Sequence, residues 1–224
     1  MWLLDGLAEL LFPTRCAGCE SPGDVVCRDC FAALPRIAAA GACPRCGAPY
    51  GALVCTECWE REWAFEAALA VGNFEAPLAR MVALHKDAGE RRLAQVLGQL
   101  IAAQVIARWE GWPQTVSYVP ATEDARSRRG FDHGEAIARV VARELGVSLS
   151  DALERRSAQD QRALGRIERA SNVAGTFATG ASVSGRVLLC DDVFTTGATL
   201  DAAAQSLLEA GARAVRCAAV ARVW

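Results

Sequence analysis

The run Val187-Leu-Leu-Cys-Asp-Asp-Val-Phe-Thr-Thr-Gly-Ala-Thr-Leu200 carries the densest chemistry in the chain. An apolar strand leads into two acids. A hydroxyl-rich turn with one glycine follows, and then a helix begins. Open α/β sheets bind ligands at such strand ends. Backbone N–H groups at the turn and helix start point at an anion. Thr195, Thr196 and Thr199 add hydroxyl donors, and Gly197 lets the backbone come close to a phosphate. Asp191 and Asp192 suit two sugar hydroxyls, met directly or through a hydrated metal ion. A plain helix cap accounts for one Thr, but not for paired acids with three Thr and a Gly. The Gly–Lys–Ser/Thr ending of a Walker loop is missing.

A second constellation is made of cysteines. Eight of the ten fall in Cys16-x-x-Cys19, Cys27-x-x-Cys30, Cys43-x-x-Cys46 and Cys55-x-x-Cys58. Each pair presents two thiolates, and two pairs close a tetrahedral four-cysteine site that suits zinc. In sequence order Cys16, Cys19, Cys27 and Cys30 hold one ion, and Cys43, Cys46, Cys55 and Cys58 the other. A cross-braced arrangement, first pair with third, is the alternative. All ligand positions are thiolate, so the ions are structural and supply folding energy to a core-poor segment. Cys190 and Cys217 sit in apolar runs and read as buried small hydrophobes.

Arginines make a third set. Arg126, Arg128 and Arg129 cluster after a short strand ending at Pro120, where they either bridge phosphate oxygens or form a solvated charge run. Residues 155–172 carry Arg155, Arg156, Gln161 and Arg169 among others, and an exposed amphipathic helix is one reading of that segment. His133 starts a helix and Lys86, the only lysine, ends one; neither has an assignable role. Trp59, Trp63, Trp109 and Trp112 read as packing between the Cys-rich part and the rest, with base stacking as the alternative.

These residues need a scaffold. The 224 residues are 52% hydrophobic and 22% charged, with net charge −2. That is one α/β domain plus an appendage, without a global basic field for nucleic acid. Residues 1–12 read as a short amphipathic helix docked on the core, not a signal peptide, and no stretch approaches the ~18 apolar residues of a membrane span. The compartment is therefore reducing and cytoplasmic. Composition shifts near residue 60, which divides the chain into 1–62, helix and Cys module, and 63–224. In the second part strands are expected at 65–73, 115–119, 147–153, 186–190 and 212–223. Helices are expected at 77–85, 90–109, 133–145 and 199–210, with residues 121–132 as a polar loop. Alternating strand and helix imply a parallel sheet flanked by helices.

The 187–200 run resembles the ligand signature of type I phosphoribosyltransferases. Arg128-Arg-Gly-Phe-Asp-His133, Gln161-x-x-Leu164 with Glu168-Arg169, and Asn172-Val-x-Gly-x-Phe177 resemble segments of the ComF-type competence family. A double four-cysteine module before a phosphoribosyltransferase domain is that family's layout. The resemblance covers nearly the whole chain. One departure is the stretch Ala121-Thr-Glu-Asp-Ala-Arg126, where the family is more basic and contains proline. The resemblance implies an α/β fold, a type I phosphoribosyltransferase-like parallel sheet with a small N-terminal double zinc-ribbon module. It implies that Asp191 and Asp192 bind ribose hydroxyls, and that Thr195, Thr196, Gly197, Ala198 and Thr199 hold a 5′-phosphate. Mg²⁺ would accompany the ligand, phosphoribosyl pyrophosphate or a related nucleotide. The 126–129 arginines would meet pyrophosphate, and residues 155–172 would form a lid. The implied role is in DNA uptake during natural transformation, with uptake proteins and single-stranded DNA as partners. It is performed either as a phosphoribosyl transfer or as a non-catalytic nucleotide- or single-strand-binding adaptor.

Overall fold

The computed structural model describes residues 13–155 and 176–224. The expected helix at residues 1–12 lies outside the described residues, as does most of the expected lid, with Arg156, Gln161 and Arg169.

The described helices, in chain order, are α1 (Arg28–Ala32), α2 (Thr56–Glu60), α3 (Leu78–Lys86), α4 (Leu93–Trp109), α5 (Glu123–Arg129), α6 (His133–Leu145) and α7 (Ala198–Glu209). The strands are β1 (Ala67–Asn73), β2 (Thr115–Tyr118), β3 (Ser148–Leu149), β4 (Leu153–Arg155), β5 (Phe177–Thr179), β6 (Gly185–Phe194) and β7 (Ala212–Arg222). Five of them form a parallel sheet ordered β1-β7-β6-β2-β3, while β4 and β5 make a separate antiparallel pair.

Strand side chains alternate between two apolar clusters, as a doubly covered sheet requires. Leu69, Val71, Leu188 and Cys190 pack with α3, α4 and α6. Ala68, Ala70, Val187 and Leu189 pack with α7 and with Cys43, Cys46 and Cys58. The Cys-rich segment therefore straddles the sheet. Its first quartet lies on the α3–α4 side, where Ala17 and Leu34 join the cluster. Between the quartets, residues 35–37 run along the open edge of β1. Ile37 N donates to Val71 O at 3.0 Å and Asn73 N to Pro35 O at 2.9 Å. Gly72 permits this approach, since a Cβ there would lie 2.4 Å from Pro35 O. The contact covers an edge that would otherwise template association.

Four expectations are corrected. Residues 121–132 are not a loop but hold α5. Thr122 Oγ1 accepts from Ala125 N at 3.3 Å, Glu123 and Asp124 occupy the first turn, and Arg126, Arg128 and Arg129 the last. Gly130 closes it at φ 71°. Charges of the right sign at each end and a good cap make this helix, although only Ala125 is buried. The strand expected at 147–153 is divided into β3, which joins the main sheet, and β4, which turns off to pair with β5. β6 runs four residues past Cys190, because β7 continues to pair with it through Phe194 and Arg222. Trp59 is 80% exposed and is not a packing residue.

Candidate functional site

The end of β6 explains where the acids point. β2 stops at Tyr118, opposite Cys190, and beyond that register β6 is paired only with β7. Its freed side faces a cavity of about 380 Å³. Alternation along the strand sends Asp191 and Asp192 to different sheet faces, yet both line this cavity.

Asp192 is 4% exposed and points toward α3 and α6. Lys86 Nζ, at the end of α3, lies 2.6 Å from its Oδ2, and His133 Nε2, at the start of α6, lies 3.2 Å from the same atom. Arg129 Nη1 stands 3.2 Å from His133 Nδ1. A guanidinium only donates, so Nδ1 accepts and the imidazole proton sits on Nε2, facing Asp192. Burial alone would raise the Asp192 carboxyl. The His133 hydrogen bond and the Lys86 charge outweigh it and leave the group below the usual carboxylate range. Asp191 moves the other way: burial, then the neighbouring Asp192 charge, raise it well above that range. One Asp191 oxygen accepts from Asp192 N at 2.9 Å.

Two buried groups fix the helices that bring these partners in. Asp132 caps α6, accepting from Gly134 N at 2.9 Å and Glu135 N at 3.1 Å, while its other oxygen holds Ala121 N at 2.8 Å. His85 is 1% exposed and spans Glu90 O at 3.1 Å and His133 O at 3.2 Å. Burial lowers its pKa. The chain leaving β2, the helix α6 and the end of α3 are thus tied together around Asp192.

The turn after β6 leads into a twelve-residue helix, whose free N-terminal N–H groups lie at the end that favours an anion. Thr195 and Thr199 line the cavity. Thr196 does not; its Oγ1 accepts from Ala198 N at 3.4 Å. Gly197 sits at φ 78°, and a Cβ there would come within 2.7 Å of the Trp63 ring and 2.6 Å of Phe194. Its need for glycine thus comes from the backbone and from the residues beneath, beyond the closeness of any phosphate. Trp63 in turn stacks on Phe65 at 5.0 Å and donates through Nε1 to Cys58 Sγ at 3.3 Å. Arg61 pairs with Asp201 at 3.8 Å, and Ala64 N donates to Asp201 at 2.7 Å. The second Cys quartet and this turn are physically continuous.

Of the arginine candidates, Arg129 and Arg155 line the cavity. Arg126 and Arg128 are exposed on α5 and do not. Lys86, His133 and Thr122, which sequence left without a site role, do line it.

The cysteines group in sequence order. The Sγ atoms of Cys16, Cys19, Cys27 and Cys30 lie within 4.8 Å of one another, as do those of Cys43, Cys46, Cys55 and Cys58. A tetrahedral ion with bonds of ~2.3 Å sets its sulfurs about 3.8 Å apart. Cys19 and Cys27 are 3.7 Å apart, and Cys46 and Cys55 3.6 Å. Cys16 Sγ accepts from Gly18 N and Cys27 N, and Cys43 Sγ from Cys55 N. Burial raises the thiols of Cys16 and Cys43, but backbone N–H groups outweigh it and bring them to about 6 and about 7. The donor set, spacing and thiolate support fit a closed tetrahedral metal site.

Residues 132–223 match the phosphoribosyl transferase domain family. The DNA utilization protein YhgH of Escherichia coli K12 is 30% identical over 183 residues, covering 78% of this chain and 81% of that protein. The competence protein ComFC of Streptococcus pneumoniae is 25% identical over 200 residues, covering 88% and 87%. The competence protein F of Haemophilus influenzae is 25% identical over 192 residues, covering 80% and 84%.

Proposed function

The chain belongs to the ComF-type family, a Cys-rich double zinc-ribbon module joined to a type I phosphoribosyltransferase domain, and from that premise we propose that it binds phosphoribosyl pyrophosphate or a related nucleotide in the cavity at the end of β6. The observation that carries the reading is the convergence, in one cavity, of Asp191 and Asp192, the Thr195–Thr199 turn, and the cations Lys86, Arg129 and Arg155. An anion cradle, a pair of hydroxyl acceptors and donors for a diphosphate are what such a ligand asks for.

Asp191 meets the ribose hydroxyls. Asp192, already spanned by Lys86 and His133, takes part through that pair. The turn at 195–199 takes the 5′-phosphate, and Arg129 and Arg155 take the diphosphate. Mg²⁺ binds proteins through one or two carboxylates plus substrate phosphates. Asp191 lines the cavity and has one oxygen bonded within the backbone, which fits that demand. When bound, Mg²⁺ would neutralise the leaving diphosphate. The two cysteine quartets take zinc as structural ions.

The relatives' names, DNA utilization and competence, support a role in handling incoming DNA in the cytoplasm. Among the described residues, no helix is long and apolar enough to cross a membrane. A non-catalytic nucleotide- or single-strand-binding adaptor is the alternative to transfer; His133, the imidazole of the cavity, stands 3.2 Å from both Asp192 Oδ2 and Arg129 Nη1 and serves there to position Asp192.

Calorimetry with phosphoribosyl pyrophosphate and Mg²⁺ tests the site. Wild type binds and the Asp191→Ala/Asp192→Ala variant loses at least ~10-fold in affinity. No binding by folded, metal-loaded wild type sinks the assignment. Pyrophosphate release across a panel of bases then separates transfer from binding.

A further inference from the structure

Five side chains close a ring beside the cavity at the end of β6. Lys86 Nζ lies 2.6 Å from Asp192 Oδ2, and His133 Nε2 lies 3.2 Å from the same oxygen. Arg129 Nη1 stands 3.2 Å from His133 Nδ1, and Arg129 Nη2 donates to Asp87 Oδ1 at 3.3 Å. Asp87 follows Lys86 in the chain, at the exit of α3, so the path returns to its start. The ends of α3 and α5, the start of α6 and the end of β6 each contribute.

The members of the ring are unequally placed. Asp192 and His133 keep 6% and 8% of their side-chain surface, whereas Lys86 and Arg129 keep 36% and 16%. Both cations line the cavity. An anion that enters meets these cations before the carboxylate behind them. The two cations stand on opposite sides of the His133 imidazole, so a ligand that takes both must offer oxygens on both sides of it. A diphosphate does so with its two phosphoryl groups. Arg binds phosphate through paired donors and Lys binds it as a point charge. The ring can open while the helices stay together. His85 Nε2 stands 3.2 Å from His133 O, Asp132 Oδ2 accepts from Ala121 N at 2.8 Å, and Arg91 Nη2 donates to Gly130 O at 3.0 Å. None of these bonds belongs to the ring.

We propose that this ring is a lock on Asp192 which a diphosphate opens. Lys86 and Arg129 turn from the ring to the phosphate oxygens. His133 keeps Asp192 in place through Nε2, and the carboxylate that Lys86 has left becomes available to the ribose end of the same ligand. The sugar contact is thus conditional on the diphosphate. A ligand shifts such an equilibrium only by interacting better with one of its states. A monophosphate seated in the 195–199 turn leaves the lock closed, so the site selects a phosphoribosyl ligand that carries a diphosphate over one that does not. The lock rests on the reading of the cavity as a phosphoribosyl pyrophosphate site, and the two can fail separately.

The chain has two histidines, His85 and His133. Nitrogen-15 NMR of the full, metal-loaded chain therefore reads both imidazoles, and His133→Gln assigns them. Inorganic pyrophosphate, added without Mg²⁺, shifts His133 Nδ1 as Arg129 leaves it, while His85, outside the ring, moves far less. Ribose 5-phosphate leaves His133 where it was. By calorimetry, Lys86→Met binds inorganic pyrophosphate at least ~10-fold more weakly than wild type. The NMR arm uses wild type, so it stands whether or not Lys86→Met folds. Pyrophosphate that binds without moving His133 overturns the lock and leaves the reading of the cavity intact. So does equal movement of His85, which means that the helices shift instead, or an equal shift of His133 with ribose 5-phosphate. Undiminished pyrophosphate binding by a folded Lys86→Met overturns the lock as well. No binding of pyrophosphate by wild type overturns both readings.

Discussion

Lys86 and His133 end on the same oxygen of Asp192, so one carboxylate ties two helices to the end of β6. Asp192→Asn keeps the shape and removes the charge. Lys86 is 36% exposed, so solvent screens part of the lost attraction, and the expected cost is about 1–3 kcal/mol, read as a lowered Tm. An unchanged Tm would mean that these contacts do not hold the helices. Asp191 supports a different prediction. Its pKa is raised by burial and by Asp192, so it takes up a proton at a pH where an ordinary carboxylate is still ionised. Metal-assisted ligand binding needs the anion, so affinity should fall as pH is lowered, and the fall should begin above the ordinary carboxylate range near ~4. Titrating Kd against pH checks this; a slope that persists unchanged in Asp191→Asn assigns it to another group. The two acids were legible in sequence because they are adjacent and follow an apolar strand. Their partners were not, because Lys86 and His133 are separated by 46 residues of chain and meet only when α3 and α6 lie on one face of the sheet.

At the scale of elements, periodicity finds what is buried and misses what is held by its ends. The parallel sheet and helices α3, α4, α6 and α7 follow from apolar spacing and were expected near their observed positions. α5 has one buried residue, so its spacing is silent, and its cap and end charges decide it. Glu123 and Asp124, which depart from the family's basic stretch, are the acids of its first turn. The overrun of β6 depends on a partner strand, β7, that local sequence does not specify. The turn after β6 shows how an element depends on what lies beneath it. Gly197→Ala forces a side chain into left-handed backbone at φ 78° and against Trp63 and Phe194. Left-handed strain of about 1–2 kcal/mol adds to overpacking of about 1–3 kcal/mol. Tm should drop and phosphate-ligand affinity should fall by at least ~10-fold, because the N–H groups of the cradle move. A variant with lowered Tm and intact affinity would show that the turn tolerates the shift and that glycine serves stability alone.

Across the whole molecule, the eight paired cysteines were readable as two quartets in sequence order, but their unequal places in the fold were not. Membership of a core is a property of packed neighbours, and the Cys-rich segment has little periodicity from which to infer them. Cys46 and Cys58 are fully buried and belong to the cluster that includes Phe65, Phe194 and Leu200. Trp63 carries that contact on to Gly197. Cys19 of the first quartet is exposed and Cys27 half-buried. The quartets should therefore fail differently. Cys46→Ser removes a ligand from within the core, opening the second site, loosening Trp63 and disturbing the cradle. Cys19→Ser opens the first site at the surface. With each variant's metal content measured, Cys46→Ser should lower Tm by several degrees more than Cys19→Ser. It alone should weaken phosphoribosyl pyrophosphate binding. If Cys19→Ser lowers both as much, the two quartets form one cooperative unit, and the path through Trp63 is not what links metal to ligand.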